Sequence, residues 1–217
     1  EPSRLQRVMN KLAAAKRPVL IGGHGVWWSG AEGYLEEAGR LLGIPVFNIP
    51  YHQKLLGEEC EAYMGLADIH QYHPSADAFH ESDLVLMVGA RLDNQMNFGN
   101  PPLFPETTDV VCINGSHEEI DFNRAADFTL LSDPGAFLQM LTAEAKAPDF
   151  RSDRSWYDLN RQRRAEWVAK MLADLEREAS APEFGGRIHP LQLALDVQQA
   201  MGDEDWLVID GGNTHFW

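Results

Sequence analysis

A glycine-containing loop near the start of the chain is the first place where a ligand could bind. The stretch IGGHGVWWSG follows an apolar segment, and Gly23, His24 and Gly25 give the G-x-G part of a dinucleotide fingerprint, but Trp28 stands where the third glycine belongs. The next apolar segment ends at Asn48, where NAD sites carry Asp or Glu. A glycine turn before a helix still offers backbone N–H groups to a phosphate. The stretch therefore predicts either a phosphate site or a tight turn without a ligand.

A second candidate site lies in the stretch VGARLDNQMNFGNPP. Gly89 ends an apolar segment, and Arg91 and Asp93 stand in the loop that follows it. A guanidinium group there can bind a phosphate or carboxylate through two hydrogen bonds, and the aspartate can orient the arginine or accept from a ribose hydroxyl. The alternative is an Arg–Asp ion pair on the surface. FGNPP predicts a rigid loop of the kind that carries function.

The other polar clusters favour structural roles. The stretch ADIHQYHPSADAFH matches no zinc signature, and Pro74 interrupts a helix that would align its histidines, so we expect a polar loop from these residues: Asp68, His70, His73, Asp77 and His80. We interpret the basic stretch NRQRRAEWVAK, between Asp158 and Glu166, as a solvated helix face. The sequence has no nucleophile elbow and no P-loop, and no Cys–His pair stands out, so we predict no catalytic or metal-binding residue.

Charge and composition exclude several classes of partner. The net charge of -15 argues against nucleic acid and against an anionic membrane surface. No apolar run approaches the roughly 20 residues of a membrane span. Cys60 and Cys112 do not form a disulfide framework, so we expect core thiols in a cytoplasmic protein. The chain begins with Glu1 rather than Met, and we expect it to be part of a longer protein.

The elements that must position the loops alternate along the chain. Apolar strand candidates separated by helical segments predict a doubly wound, Rossmann-like parallel sheet, with strands in RPVLIGG, IPVFNIP, DLVLMVG, DVVCING and DFTLL. A long helix that contains Trp156 and Leu175 follows, then a helix that opens at His189 and a buried strand over 206–209. We therefore divide the chain into a Rossmann-like domain over 1–145, a helical linker over 146–187, and the first helix and strand of a second α/β domain over 188–217.

The order of these stretches resembles the central domain of thiamine-diphosphate-dependent enzymes. The resemblance covers about 1–143 and includes AAAKRPVLIGGHGVWWSGA, LLGIPVFNIP, HESDLVLMVGARLD, FGNPP and VVCINGSHEEI. It points to the group that contains acetolactate synthase, oxalyl-CoA decarboxylase, 2-hydroxyacyl-CoA lyase and benzaldehyde lyase. The tail IHPLQLALDVQQAMGDEDWLVIDGGNTHFW is similar to the opening of their diphosphate-binding domain.

The resemblance implies a non-catalytic domain within an enzyme that makes or breaks carbon–carbon bonds next to a carbonyl group, as a lyase, a decarboxylase or an acetolactate-synthase-like transferase. It implies thiamine diphosphate and Mg²⁺ in the whole enzyme, and FAD or ADP in the central domain. It implies a 2-keto acid or 2-hydroxyacyl-CoA substrate and a homodimer or homotetramer. The cofactor-binding residues that it implies are Gly23, His24, Gly25, His70, Gly89, Arg91, Asp93, Asn114, Ser132, Asp133, Gly212, Asn213 and Thr214.

The sequence also departs from this pattern in two places. Flavin-binding members carry an acidic D-I-D where this chain has Asn114, Gly115 and Ser116. We also expect the bulky Trp27 and Trp28 to block the phosphate loop. Two alternatives stay open: a free-standing regulatory module that binds FAD or ADP, and an independent NAD-dependent or deacylase-like enzyme, against which the incomplete fingerprint counts.

Overall fold

Six parallel strands form one sheet within the residues that the computed structural model describes, which are 3–49, 55–68, 73–147, 153–179, 185, 187–202 and 205–208. The strands are β1 (Pro18–Gly22), β2 (Val46–Asn48), β3 (Tyr63–Leu66), β4 (Leu84–Val88), β5 (Asp109–Asn114) and β6 (Phe128–Leu131). Their spatial order is β3-β2-β1-β4-β5-β6. This order reverses direction between β1 and β4, so the predicted doubly wound Rossmann-like sheet is confirmed.

Helices connect the strands. They are α1 (Arg4–Ala14), α2 (His24–Trp28), α3 (Glu32–Leu42), α4 (His73–Glu81), α5 (Pro134–Ala145), α6 (Ser155–Ala179) and α7 (Pro190–Ala200). Two short 3-10 segments, Asn94–Gly99 and His117–Glu119, follow β4 and β5. The predicted helix ends are confirmed at Ser3, whose hydroxyl accepts from Gln6 N, and at Gly43, whose left-handed backbone (φ 63°) ends α3.

Burial on both faces explains why the central strands are apolar throughout. All five residues of β4 are buried, as are Val19 to Gly22 of β1. A strand with helices over both faces has no solvent-facing side, so alternation of polar and apolar residues disappears. The strand β3 was missed in the sequence because it is short and has Gly65 inside it. It also lacks the β-branched residues that mark strands.

The first half of α6 packs on the part of the chain that forms the sheet. The indole N–H of Trp156 donates to Pro18 O at 3.0 Å, and the hydroxyl of Tyr157 donates to Glu61 O at 2.8 Å. Arginines of the helix pair with glutamates far away in sequence: Arg161 with Glu61, Arg163 with Glu81, and Arg164 with Glu58. The interpretation of this basic stretch as a solvated face holds for Arg161, which is exposed, and is wrong for Arg163 and Arg164, which are partly buried.

The chain divides into two compact units, Glu1–Arg164 and Ala165–Trp217, and the boundary falls inside α6. In the second unit, His189 caps α7, as predicted, by accepting from Leu191 N. The predicted buried strand over 206–209 is wrong for Trp206, Leu207 and Val208, which are exposed and belong to no strand. Within the described residues, no strand pairs with them, and a strand needs such a partner for its backbone groups. Residue 209 lies outside the described residues, and the proposed domain limits stay a prediction.

Among the residues that the structure describes, no helix has both the length and the apolar composition needed to cross a membrane.

Candidate functional site

The two glycine loops identified in the sequence meet where the strand order reverses. The amide of Gly23, just after β1, donates to Val88 O at 3.0 Å, and the amide of Gly25 donates to Gly89 O at 3.0 Å. The amide of Gly89 in turn donates to Ile113 O of β5 at 2.8 Å. Backbone hydrogen bonds therefore fix both loops at the carboxyl ends of β1, β4 and β5, the edge where α/β sheets bind ligands.

Glycine is required in both loops because their backbones touch. A Cβ atom on Gly23 would lie 2.3 Å from Gly89 O, and a Cβ atom on Gly25 would lie 2.7 Å from the Cα atom of Gly89. Gly89 itself has a left-handed φ of 60°. The amides of Gly25 and Val26 already donate to backbone oxygens, Gly89 O and Gly23 O. The structure thus explains these glycines by packing, and their contact with a pyrophosphate stays a prediction.

A cleft of about 330 Å³ opens beside this contact. Several of the predicted site residues line it: His24, Gly25, Gly89, Arg91, Asp93 and Asn114. Trp28 and Glu119 line it as well. The structure therefore brings the two glycine loops and the end of β5 to one place, and the binding of a cofactor there stays a prediction. A larger cleft of about 720 Å³ lies at the opposite edge of the sheet, where Pro18 and Ile44 precede or begin strands.

Arg91 pairs with Glu119 instead of Asp93. The Nη1 atom of Arg91 lies 3.3 Å from both carboxylate oxygens of Glu119, and its guanidinium carbon lies 5.0 Å from the centre of the Phe122 ring. The carboxylate of Asp93 accepts from Gln95 N at 3.2 Å and so caps the 3-10 segment that follows it. The alternative of an Arg91–Asp93 ion pair is wrong, because the loop after β5 brings a second carboxylate to the arginine.

The pKa values of Asp93 and Asp133, the two aspartates near the cleft, shift in opposite directions. Burial raises the pKa of Asp93 above its ordinary value of 3.8, although the Gln95 N–H and the Arg91 charge act against this rise. The pKa of Asp133 is lowered because the amide of Ala136 and the hydroxyl of Ser29 both donate to its carboxylate. Folding therefore makes Asp93 a weaker acid and Asp133 a stronger acid than an unperturbed aspartate.

Ser132 and Asp133 act as the start of α5. The Asp133 carboxylate accepts from Ala136 N at 2.8 Å and from Ser29 Oγ at 2.9 Å, and Pro134 occupies the first turn. The hydroxyl of Ser132 donates to Asp133 O at 3.2 Å. Neither residue is among those that line the cleft. Their sequence SDPG is thus explained by helix capping, and their predicted contact with an adenosine stays a prediction.

Trp28 lines the cleft, and the expectation that Trp27 and Trp28 block the phosphate loop stays a prediction. The Trp27 and Trp28 rings pack edge to face with centroids 4.6 Å apart, and Trp28 is 78% exposed at the edge of the cleft. Within α2, Val26 is buried, Trp27 is half-buried and Trp28 is exposed. Trp28 therefore offers a flat apolar surface beside the cleft.

From His73 onward, the histidine-rich stretch is a helix where the sequence predicted a loop. Helix α4 begins at His73, and Pro74 lies in its first turn, where a missing N–H costs nothing. The ring Nδ1 of His80 lies 2.7 Å from Pro102 O. Within the described ranges, no group of three or more His, Cys, Asp or Glu side chains could hold a metal ion. Other predicted site residues lie outside the described residues: His70, Gly212, Asn213 and Thr214.

Arg124 and Glu119 are the residues near the cleft that the sequence analysis missed. The Arg124 guanidinium donates to Gly99 O at 3.0 Å and to Thr108 O at 2.8 Å, and so joins the predicted rigid loop FGNPP to the residues before β5. At the start of this loop, Asn97 and Phe98 have left-handed backbones, with φ of 50° and 55°. Glu119 could have been found as an acidic residue just after a strand, but nothing in the sequence marks Arg124, because its partners are backbone carbonyls.

Comparison with known proteins gives one consistent family. The model of the central domain of thiamine pyrophosphate enzymes matches residues 5–141. A 2-hydroxyacyl-CoA lyase of Arabidopsis thaliana is 26% identical over 98% of this chain and 36% of its own length. An acetolactate synthase of Mycobacterium avium is 29% identical over 95% of this chain and 32% of its own length. The chain thus spans about a third of the length of these curated relatives.

A solved structure supports the fold. The thiamine diphosphate-dependent 4-hydroxybenzoylformate decarboxylase of Rhodococcus jostii RHA1 superposes with a TM-score of 0.58 at 17% identity, over 70% of this chain and 28% of that one. At this identity, the likeness shows a shared fold of the matched part.

The contact between the loops gives a stability prediction. Gly89→Ala places a Cβ 2.7 Å from Gly25 Cα in a left-handed backbone, whereas Gly30 has the same conformation (φ 59°) with no atom within 4 Å. We expect Gly30→Ala to lower the free energy of unfolding by about 1–2 kcal/mol. We expect Gly89→Ala to lower it by about 1–3 kcal/mol more because the backbones must move apart. Urea unfolding measures both, and equal losses would contradict the close contact.

Replacing Asp93 or Asp133 by asparagine is predicted to change the free energy of unfolding in opposite directions at pH 7. Asp93→Asn keeps an oxygen that can accept from Gln95 N, but it removes the negative charge of a carboxyl group whose pKa burial has raised. Because burial disfavours that charge in the folded state, we expect the substitution to increase the free energy of unfolding at pH 7. That gain disappears as the pH falls below the ordinary value of 3.8, where the carboxyl is protonated in both states.

Asp133→Asn is the matched control, because asparagine also caps helices but the pKa of Asp133 is lowered. We expect it to decrease the free energy of unfolding at pH 7, with the loss shrinking as the pH falls through the folded pKa of Asp133. Urea unfolding at several pH values measures both variants. Changes of the same sign in both would show that the hydrogen bonds and burial described above do not control these charges.

Proposed function

This chain belongs to the thiamine pyrophosphate enzymes, whose central domain it carries, and on that premise we propose that it is the non-catalytic central part of an enzyme that makes or breaks carbon–carbon bonds next to a carbonyl group. The observation that carries the proposal is the family match over residues 5–141, which includes all six described strands and most of α5. The relatives named lyase and synthase support this class of reaction.

The non-catalytic role rests on how the reactive side chains are used. Burial raises the pKa of Cys112 to about 11 and also raises that of Cys60, so both buried thiols stay protonated near neutral pH and are poor nucleophiles. In the cleft, Arg91 faces Glu119 and Asp93 caps a 3-10 segment. Among the described residues that line the cleft, there is no serine, threonine, cysteine or lysine to act as a nucleophile.

The reacting groups of the whole enzyme therefore belong to other parts of it. Thiamine diphosphate supplies an electron sink that stabilises a carbanion next to a carbonyl group. We assign its binding, with Mg²⁺, to the complete enzyme, where Gly212, Asn213 and Thr214 would line the cofactor pocket. The proposed substrate is a 2-keto acid or a 2-hydroxyacyl-CoA. The proposed enzyme is a cytoplasmic homodimer or homotetramer.

We also propose an accessory function for the cleft beside the glycine loops, which is to bind an adenine nucleotide such as ADP. Its volume of about 330 Å³ is at the small end of the range of about 300–1,000 Å³ for small-molecule sites. Asn114 and Asp93 offer oxygen atoms to ribose hydroxyls, and the exposed Trp28 offers a surface on which a base can stack. The volume suits ADP better than the larger FAD. The comparisons do not favour the alternative of a free-standing FAD or ADP module.

The catalytic proposal is tested by turnover. We expect the 217-residue chain, supplied with thiamine diphosphate and Mg²⁺, to convert neither pyruvate nor a 2-hydroxyacyl-CoA, because the reacting groups lie elsewhere. The enzyme expressed from the complete gene that carries this segment is expected to convert one of the two substrate classes. Product formation is followed by mass spectrometry. Turnover by the isolated chain, or none by the complete enzyme on either class, would contradict the proposal.

The nucleotide proposal is tested by calorimetry with ADP, FAD and CoA. We expect ADP to bind and FAD to bind no more tightly. Trp28→Ala should weaken ADP binding by at least about fivefold, because base stacking on an aromatic ring is worth about 1–3 kcal/mol. Trp206→Ala is the matched control, since Trp206 is 92% exposed and belongs to the second compact unit. Absence of heat with all three ligands would leave a purely structural domain.

A further inference from the structure

The charges that line the cleft are poorly suited to a phosphate group. Among the described residues that line it, Arg91 is the one lysine or arginine, and it stands with two carboxylates, Asp93 and Glu119. The nearby Arg124 already donates to the carbonyls of Gly99 and Thr108. Within the described lining, Arg91 is therefore the permanent cation that a phosphate in this cleft can bind.

Two backbone amides of the first glycine loop are already occupied by hydrogen bonds within the protein. The amide of Gly25 donates to Gly89 O at 3.0 Å, and the amide of Val26 donates to Gly23 O at 2.9 Å. These two groups would otherwise be the amides of a phosphate-binding turn. Because the contact between the two glycine loops occupies them, a phosphate competes for Arg91 with whatever carboxylate already binds it.

Glu119 is held in place to be that carboxylate. It ends the 3-10 segment His117–Glu119, which is capped by the hydroxyl of Ser116 through a hydrogen bond from Glu118 N at 3.3 Å. The side chain of Asn114 accepts from Ser116 N at 3.2 Å and ties the segment to the end of β5. Both carboxylate oxygens of Glu119 then lie 3.3 Å from one nitrogen of Arg91.

The pair is also able to open. The side chains of Arg91 and Glu119 are 47% and 37% exposed, and one nitrogen of Arg91 faces both oxygens in place of two parallel hydrogen bonds. Exposed ion pairs of this kind are weak. A ligand phosphate can therefore displace Glu119, but its binding is reduced by that displacement and by repulsion from the released carboxylate.

We propose that Glu119 is a specificity-determining residue that competes with a ligand's phosphate groups for Arg91, so that the cleft binds ADP less tightly than it would without this carboxylate. The proposal rests on the nucleotide-binding function proposed above for the same cleft. It concerns the charge of the ligand, and it leaves the adenosine part to Trp28, Asn114 and Asp93.

The test compares adenosine and ADP by calorimetry in wild type, Glu119→Gln and Glu118→Gln. Glu118 is the matched control, because it is adjacent, exposed and outside the cleft lining, and its replacement removes the same charge. We expect Glu119→Gln to tighten ADP binding about tenfold, the effect of one like charge removed from a partly exposed site, and to leave adenosine binding unchanged. Glu118→Gln should leave both unchanged because salt screens its more distant charge.

A double variant shows whether the gain passes through Arg91. In Arg91→Gln combined with Glu119→Gln, the cation is gone, so we expect the tighter ADP binding to disappear. Circular dichroism confirms that each variant is folded, and Glu119→Ala provides a second variant with the same expected direction.

Each result decides between the two proposals. Tighter binding of ADP alone in Glu119→Gln supports the inference, even where wild type binds too weakly to measure. Equal effects of Glu118→Gln, or equal gains for adenosine, overturn it. Unchanged ADP binding in Glu119→Gln, with measurable binding in wild type, overturns the inference and leaves the nucleotide function standing. Absence of binding to both ligands in wild type and in Glu119→Gln overturns both.

Discussion

The contact between the backbones of the two glycine loops is the constraint on which the rest of the unit depends. Gly23 and Gly25 lie so close to Gly89 that no side chain fits between them, and two hydrogen bonds join the loops across the end of the sheet. This contact sets where α2 begins and how far the loop after β4 stands from it. The cleft lies where the two loops separate again.

The same contact also places α5. The Ser29 hydroxyl lies 2.8 Å from Gly25 O and 2.9 Å from the Asp133 carboxylate, so it joins the end of α2 to the cap of α5. A Cβ atom on Gly135 would lie 2.9 Å from Ser29 Cβ, which shows how closely α5 approaches. Helix starts, glycine loops and strand ends therefore pack together, and side chains at the border of this packed region line the cleft.

Arginine pairing gives this acidic protein its local organisation. With a net charge of -15, the chain has many more carboxylates than cations. Several of its arginines join segments that are far apart in sequence. Arg124 holds the loop after β4 through backbone carbonyls, and Arg163 and Arg164 hold the start of α6 through glutamates. Arg91 alone among them lines the cleft, which is why the proposed control of nucleotide binding rests on its pairing with Glu119.

The sequence by itself determined the class of fold, most of the strands and the edge of the sheet where the site lies, because apolar runs and glycine turns are local signals that parallel sheets require. It also placed Arg91, Asp93 and Asn114 near the glycine loops. Only the tertiary structure decided that Arg91 faces Glu119 and that Arg124 holds a loop whose carbonyls lie up to 25 residues away. It also decided that Trp28 stands beside an open cleft. The pairing of side chains depends on distances between segments remote in sequence, and no local pattern of residues encodes those distances.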